Sequence, residues 1–471
     1  MKKYILLILV LVITVTSCDN RLDTFPTSTV AAEEAFRNEG DFTNAIRGAY
    51  LRMLTGAYYN GSMQSRDVLS DNLIISREGR LSQQQTYDWL YDQNSGSYHT
   101  TSAYAVIRNV NTLLANLSTL ENGSFKNNIQ GEALAIRALA HFDVIKYYGE
   151  IPTQAAGSNA SLAMPYIETS DINDLPARTL TIAEFYQKIV TDLTTAASLI
   201  NADNGVYQMG KNAVNGILAN VYLHMGEMAN AVTAANKVTA SVASRSNFTG
   251  VWNDSNKDGV IFALSNDDVT SVGVGVAYSQ TAGGIKSEYV PDFEFYSLYQ
   301  ANDVRTSAYF ETSDFEGNTY NHVKKWYSSS RTTSLGNVDP KIVRASEVML
   351  IKAEALAAQG GKDAEALAAL DAVRSQRYEG FTSGNEAGPA LRDAIQLERR
   401  LELAFEGSRF TDIKRKGLAV ERSNKGHLAD GSGQAADVLT LPAGDHRFNL
   451  PISVSELNLN PNMLQSPGYG N

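Results

Sequence analysis

The strongest constraint on the fold is a series of segments whose apolar residues recur about every 3.6 positions, the period of an α-helix. Five such segments lie at 41–54, 103–120, 129–147, 182–200 and 213–225. The last of them has the i, i+3, i+4, i+7 stripe of an amphipathic helix, formed by Val214, Ile217, Leu218, Val221 and Met225. The pattern predicts a mainly α-helical protein.

Two of the predicted helices form a pair around a glycine. Gly226 ends the helix at 213–225, and an Ala-rich partner helix is predicted over 227–240. The spacing of a tetratricopeptide repeat is matched by Leu218, Ala219, Tyr222, Gly226 and Ala231. A second helix–glycine–helix unit is predicted from 343–359 and 363–374. An ordinary helical hairpin has the same stripe, so both interpretations stay open.

Two long segments interrupt the helical pattern. Residues 248–340 are rich in Tyr, Phe, Trp, Gly, Ser and Asp, and within them 260–264 is predicted to be a strand. Residues 418–448 are rich in Gly, Ser and Asp. We interpret both as loop-rich insertions on a helical scaffold, and long loops of this kind usually carry function.

Charge and composition exclude several classes of protein. The chain has 40 basic and 51 acidic side chains, a net charge of −11, which argues against a nucleic-acid partner. Its apolar content of 43% is too high for a disordered chain. The only cysteine is Cys18, so no disulfide stabilises the protein, and a large core is expected instead.

The N-terminus has the form of a targeting segment. Lys2 and Lys3 precede an apolar run at 5–13 that is too short to span a bilayer. The small residues directly before Cys18 resemble a bacterial lipoprotein processing site, which implies removal of 1–17 and attachment of lipid to the sulfur and new amino group of Cys18. Residues 18–40 would then be a lipidated tether and 41–471 a single α-helical body. An ordinary secretory signal with an incidental cysteine is the alternative.

Five segments in order resemble one family. They are LD…P at 22–26, GEALAIRALAHFDVIKYYGEIP at 131–152, VRASEVMLIKAEAL at 343–356, ERRLELAFEGSRFTDIKRKG at 398–417 and LPISVSELNLNPNMLQSPGY at 450–469. Their order and spacing resemble the SusD/RagB family of outer-membrane nutrient-binding lipoproteins, and the resemblance spans essentially the whole mature chain.

The resemblance implies a fold, a partner and a function. The fold would be four tetratricopeptide-like helix pairs with loop-rich insertions, and the partner a SusC-like TonB-dependent transporter in the outer membrane. Members capture oligosaccharides or, in the RagB branch, peptides at the cell surface, and they do not cleave them. A glycan binder is therefore expected, with a RagB-like peptide binder and a helical-repeat structural adaptor without a small ligand as alternatives.

A dense run of charges at 398–412 is predicted to form one helix. In it Glu398, Glu402 and Glu406 form an i, i+4 ladder of like charges, for which neighbouring arginines must supply cations. The arginines available are Arg399, Arg400 and Arg409, while the apolar stripe would be Ala394, Leu397, Leu401 and Phe405. Paired carboxylates could also act as general acid and base, but a structural ion-pair network is favoured, and no enzyme is predicted.

A calcium-loop look-alike follows Trp252. Asp254, Asn256 and Asp258 occupy the first three ligand positions of such a loop and Gly259 the turn, but Ser265 stands where a bidentate acid is required. An Asx-rich turn explains the same residues. We therefore predict no metal and no cofactor, with a structural calcium ion as the weaker alternative.

Candidate ligand-binding residues lie in two regions. Sugars stack on aromatic rings and need polar groups to orient their hydroxyls, and in glycan-binding relatives an early loop carries a stacking Trp followed by an amide. The corresponding residues here would be Trp89 with Asp92 or Asn94. The complete candidate set is Asp71, Arg77, Trp89, Asp92, Asn94, Tyr289 and Trp326. In the alternative interpretation, Trp89 and Trp326 are packing residues.

Overall fold

The computed structural model of the protein describes residues 35–55, 58–59, 62–94, 100–267, 273–276, 278, 280–281, 285–327 and 336–470. The predicted targeting segment, Cys18 and the motif at 22–26 lie outside the described residues. Within the described ranges, no helix combines the length and apolarity needed to cross a membrane.

The first half of the chain is built mainly from long helices. They are α1 (Glu39–Leu54), α2 (Ser62–Asp67), α3 (Gln84–Tyr87), α4 (Thr100–Ala115), α5 (Ser124–Tyr148), α6 (Ile182–Leu199), α7 (Lys211–Met225) and α8 (Met228–Ala235). The five helices predicted from periodicity are all present. The segment at 103–120 ends early, at Ala115, and continues as the 3-10 turn Leu117–Thr119, while the partner helix predicted at 227–240 ends at Ala235.

The second half of the chain contains eight further α-helices among its described residues, several of them short. They are α9 (Phe248–Trp252), α10 (Phe293–Tyr296), α11 (Val304–Tyr309), α12 (Ala345–Ala357), α13 (Asp363–Arg374), α14 (Gly388–Glu402), α15 (Arg409–Arg415) and α16 (Val454–Leu459). The helix predicted at 343–359 begins two residues later, because Val343 and Arg344 belong to a strand.

Short strands fall between these helices. They are β1 (Leu73–Ile75), β2 (Val260–Ala263), β3 (Gln280–Thr281), β4 (Ile285–Lys286), β5 (Tyr289–Pro291), β6 (Phe310–Phe315), β7 (Asn318–Val323), β8 (Lys341–Arg344), β9 (Val420–Glu421) and β10 (Thr440–Leu441). The described strands pair antiparallel, as β1–β5, β2–β8, β3–β4, β6–β7 and β9–β10. The strand predicted at 260–264 is present as β2.

The helices pack in a continuous series of neighbours. Helix α4 contacts α5, α5 contacts α6, α6 contacts α7, and α7 contacts α8. Helix α12 contacts α8, α13 and α14. At the α7–α8 turn Gly226 has a φ of +78°, a left-handed conformation that glycine adopts without strain. Ala219 and Ala231 are fully buried, and these small residues let the two helices lie close together. The predicted mainly α-helical fold of paired helices is confirmed.

The charged run at 398–412 is not one helix. Helix α14 ends at Glu402 and α15 begins at Arg409. Between them Phe405 and Gly407 have φ values of +62° and +74°, and left-handed residues end an α-helix. Glu406 therefore lies outside the predicted i, i+4 ladder. Leu397, placed by the pattern in the apolar stripe, is instead 42% exposed.

Glu402 is the centre of a buried cluster that we call the ionic hub, formed with Arg305, Arg344 and Arg377. Its carboxylate accepts hydrogen bonds from Arg377 Nε at 2.8 Å, from Arg344 Nη1 at 2.8 Å and from Arg305 Nη1 at 3.3 Å. Burial alone would raise the pKa of Glu402, but the charges of Arg377 and Arg344 hold it well below its usual value. The structural network is confirmed, but its cations come from arginines distant in sequence.

Candidate functional site

Residues 76–94, which follow β1 and which we call the 76–94 loop, concentrate backbone strain. Four of its non-glycine residues have positive φ: Arg77 (68°), Leu81 (54°), Gln83 (64°) and Trp89 (52°). Each such residue costs about 1–3 kcal/mol, and strained residues persist only where surrounding structure holds them, commonly at ligand-binding loops. The strain singles out this loop as the candidate site.

Strand β5 pairs with β1 and contacts the loop through Tyr289. In the β1–β5 ladder Ile75 lies opposite Tyr289, and the Tyr289 hydroxyl donates a 2.6 Å hydrogen bond to the carbonyl oxygen of Ser82. The Tyr289 side chain is fully buried. It therefore holds the loop in place and offers no exposed ring to a ligand, contrary to its predicted role.

Arg422 lies between two aromatic residues of the loop. Its guanidinium carbon is 3.6 Å from the ring centroid of Tyr87 and 3.9 Å from that of Trp89. It also donates hydrogen bonds to backbone carbonyl groups, including those of Val68 and Ser70. Burial lowers the pKa of Arg422, although the nearby Tyr87 and Asp88 favour its charged form. This cation–π contact anchors the loop to the body.

Trp89 is the core of that anchor. Its side chain is 1% exposed, and Nε1 donates a 3.0 Å hydrogen bond to the carbonyl oxygen of Leu69. With one contact to Arg422 and the remainder of the ring buried, no indole face is open to a sugar. In this conformation Trp89 is a packing residue, as the alternative interpretation has it, and its ring is not available to stack on a sugar.

Trp326 is placed in the interior, where it contacts residues outside the 76–94 loop. It is 1% exposed, its Nε1 donates to the carbonyl oxygen of Phe405 at 2.7 Å, and its ring meets Trp252 edge-on at 5.4 Å. Packing again accounts for these contacts. The candidate set therefore splits, because Trp89 is connected to Tyr289 through Arg422 and Tyr87, whereas the contacts of Trp326 are to Phe405 and Trp252.

Asp71 forms ion pairs with two arginines, one in α14 and one in α15. It accepts hydrogen bonds of 2.7 Å from Arg409 Nε and Nη2, and Arg400 lies 3.2 Å away. Burial would raise the pKa of Asp71, but the hydrogen bonds and charge of Arg409 outweigh it and lower that pKa. Arg400 and Arg409 thus connect the base of the loop to α14 and α15 rather than neutralising the predicted ladder.

The other polar candidates are at the surface. Arg77 Nη2 donates to Asp437 at 3.2 Å, which joins the 76–94 loop to the insertion at 418–448. Asp92 and Asn94 are exposed, and Asp92 Oδ1 accepts a 2.8 Å hydrogen bond from the Asn94 backbone. Asp92, Asn94 and Arg77 are therefore the predicted residues whose polar groups can reach a ligand.

The sequence pattern missed several groups of this surface. Leu90 is 64% exposed, and the Arg80 side chain is 77% exposed although it contacts Glu288 at 3.4 Å. Beside Leu90, the buried Oδ1 atom of Asp88 accepts no hydrogen bond from the described residues. Burial raises the pKa of Asp88. The loop thus offers an apolar side chain beside donors and acceptors, the combination that small-molecule sites use.

In the segment that resembles a calcium loop, two lysine side chains bind the acidic residue at the first ligand position. Asp254 Oδ1 accepts from Lys257 Nζ at 2.7 Å and from Lys341 Nζ at 2.8 Å. Asp258 instead accepts from the backbone and hydroxyl of Ser244. These contacts fit the Asx-rich turn, and no cluster of three metal-ligating acidic, His or Cys side chains occurs among the described residues.

Comparison with known proteins places the chain in a family. Residues 244–469 match the model of the SusD family, and residues 22–223 match a model described as starch-binding and associating with the outer membrane. The chain is 25% identical to SusD-like protein P2 of Formosa agariphila, with both chains fully covered.

Solved structures show the same fold. A SusD superfamily protein from Bacteroides thetaiotaomicron superposes with a TM-score of 0.81 at 24% identity, covering 91% of this chain and all of that one. A SusD-like carbohydrate binding protein from Bacteroides vulgatus has a TM-score of 0.79 at 20% identity, covering 91% and 98%. With two matching family models that together span most of its length, the chain belongs to the SusD-like family.

Proposed function

We propose that this protein is a lipid-anchored, cell-surface binder that captures oligosaccharides and delivers them to a SusC-like TonB-dependent transporter. The observation that carries the proposal is the match of residues 22–223, which contain the 76–94 loop, to a family described as starch-binding and associating with the outer membrane. The related SusD-like carbohydrate binding protein of Bacteroides vulgatus supports the ligand class.

The 76–94 loop supplies the binding surface in this proposal. Leu90 would pack against the apolar CH face of a sugar ring, while Arg80, Asp92 and Asn94 would hydrogen-bond its hydroxyl groups. The buried Trp89–Arg422 contact would keep these groups in place, so that little conformational entropy is lost on binding. Capture is reversible and breaks no bond of the ligand.

The anchor would be lipid on Cys18. Several acyl chains on one residue hold a protein stably at a membrane, where a single chain holds it only marginally. A Cys18→Ala variant is expected to fold and be secreted without fractionating with outer membranes. Membrane attachment of that variant in the absence of the transporter would contradict the anchor.

A peptide ligand of the RagB type is the second candidate function. It is favoured by the burial of Trp89 and Trp326, which removes two rings from any sugar-stacking platform. Peptides are held by backbone hydrogen bonds and shallow side-chain pockets, for which the polar 76–94 loop is also suited.

Calorimetric titration of the secreted Cys18→Ala protein separates these ligands. The probes are maltoheptaose, a panel of other oligosaccharides of three to eight sugars, and a library of peptides of similar length. Saturable binding of an oligosaccharide, with its glycosidic bonds intact afterwards, supports the proposal. Binding of peptides alone supports the RagB-like function, and absence of binding to either class leaves the structural adaptor.

A further inference from the structure

Exposed apolar side chains are also concentrated outside the 76–94 loop, in segments that include the end of α16, whose first residue Val454 donates a backbone hydrogen bond to Gln93 of that loop. Five of the large hydrophobic residues exposed among the described residues lie in two segments that contact each other: Leu162 (42%), Ile172 (70%), Leu175 (41%), Leu459 (76%) and Leu464 (56%). We call these five side chains the leucine patch. Exposed apolar side chains that cluster in this way mark interaction sites, whereas scattered ones need no explanation.

Arg178 fixes the two segments of the patch to each other. It is 5% exposed and donates hydrogen bonds to the carbonyl oxygens of Leu162 at 2.8 Å, Ala163 at 3.0 Å and Leu464 at 3.0 Å. A buried guanidinium used in this way holds backbone in a defined position. The two segments that carry the patch are therefore held in a fixed arrangement.

Two asparagines extend the same connection toward α16. Asn460 Nδ2 donates to the carbonyl oxygen of Pro176 at 2.9 Å, and Asn462 Nδ2 donates to that of Leu175 at 2.8 Å. These bonds hold the chain that follows Leu459 against the backbone of Leu175 and Pro176. A partner would thus meet a preformed surface and would not have to order it on binding.

The charges beside the patch limit what can cover it. Asp171 and Asp174 flank Ile172 and are exposed, while the exposed Glu168 is paired with Lys188 at 2.6 Å. A second copy of this chain would bring like charges together, and the net charge of −11 adds to that repulsion. An anionic lipid surface is disfavoured for the same reason. Charge complementarity requires a protein with apolar side chains bordered by Lys or Arg.

We propose that the leucine patch is the surface through which this chain docks on its outer-membrane transporter, against an apolar, basic-bordered region of that protein. The proposal rests on the partner named under Proposed function and adds where the contact lies. The patch and the 76–94 loop would then be neighbouring surfaces joined through α16, one for the transporter and one for the nutrient.

Co-purification of the chain with its co-expressed SusC-like transporter tests the proposal. The test variant is Ile172→Glu combined with Leu459→Glu, and the matched control is Leu418→Glu at a residue that is 49% exposed outside the patch. We expect the double variant to recover at least tenfold less transporter than the wild type, with recovery by the control unchanged. Thermal melting of both variants within about 2 °C of the wild type would show that folding is intact.

Other outcomes overturn the proposal. Equal recovery by the double variant and the wild type would place the docking surface elsewhere. If the wild type sediments as a dimer that the double variant disperses, the patch is a self-interface. Failure of the wild type to recover the transporter would refute the partner as well as the patch, and is thereby distinguished from failure of the patch alone.

Discussion

The ionic hub and the 76–94 loop are both rich in charged residues, but their charges are used in opposite ways. In the hub, the Glu402 carboxylate is fully buried and is shared among three arginines. In the loop, Arg80 and Asp92 point outward, and the buried groups beneath them serve to hold the backbone. Both regions have a high density of charged residues in the sequence. Only the burial of these residues and their hydrogen-bond partners distinguish a structural network from a ligand surface.

The largest effect that sharpens this comparison is expected from Glu402→Ala. Removing the carboxylate leaves three buried guanidinium groups without their shared anion, which costs about 3–5 kcal/mol of unfolding free energy. Urea denaturation measures the loss. The control is Glu365→Gln, which removes an exposed ion pair with Lys362 and should change stability by less than about 0.5 kcal/mol. Equal effects of the two changes would show that the hub is not structural.

Acid titration tests another ion pair, between Glu354 and the buried Arg415. The charge of Arg415 lowers the pKa of Glu354 to about 2, although burial opposes that shift. Because the folded pKa lies below the unfolded value of about 4.5, the contribution is complete above pH 4.5 and is lost as pH falls toward 2, a loss of about 3 kcal/mol. Stability measured from pH 6 to 2.5 should show this loss in the wild type and not in Glu354→Gln. A parallel pH dependence of the two proteins would contradict it.

In the loop, a surface change should affect binding and leave stability intact. Leu90→Ala is expected to weaken oligosaccharide binding about tenfold, which is about 1.4 kcal/mol, while the unfolding free energy changes by less than about 0.5 kcal/mol. Calorimetric titration and urea denaturation give the two numbers. Leu51→Ala, at a 51% exposed residue of α1, is the control and should alter neither. A loss of stability without a loss of affinity would show that Leu90 has a structural role and does not bind the ligand.

The smallest effect concerns backbone strain. Gln83 has a φ of +64°, and its side chain makes one 3.3 Å hydrogen bond, to Gln64. Gln83→Gly should be neutral or stabilise the protein by about 0.5 kcal/mol, because the relief of strain is largely offset by the extra conformational entropy that glycine gives the unfolded chain. The same change at Gln187, within α6, should destabilise by about 1 kcal/mol. Destabilisation of equal size at both positions would show that Gln83 is not strained.

Much of the helical scaffold could be predicted because helices are local. The stripe in α7, the turn at Gly226 and the start of α13 are set by residues a few positions apart. The end of α14 has a local signal as well, because Gly407 is a typical helix stop, whereas the charge pattern alone extends the helix to 412. Single-residue turn signals thus deserve precedence over charge periodicity.

The site was less predictable because its geometry depends on contacts between distant segments. Trp89 is buried by Arg422, and Asp71 is neutralised by Arg409, from regions more than three hundred residues away. No spacing rule links such positions. The pattern located the loop, with Arg77, Asp92 and Asn94 at its surface, but it could not show that the tryptophan faces inward.

Hydrogen–deuterium exchange with and without a bound oligosaccharide tests the central claim most directly. The account predicts that a saturating oligosaccharide slows exchange in peptides from the 76–94 loop and leaves peptides from α14 and α15 unchanged. Slowed exchange confined to other surfaces, with the 76–94 loop unaffected, would contradict the account.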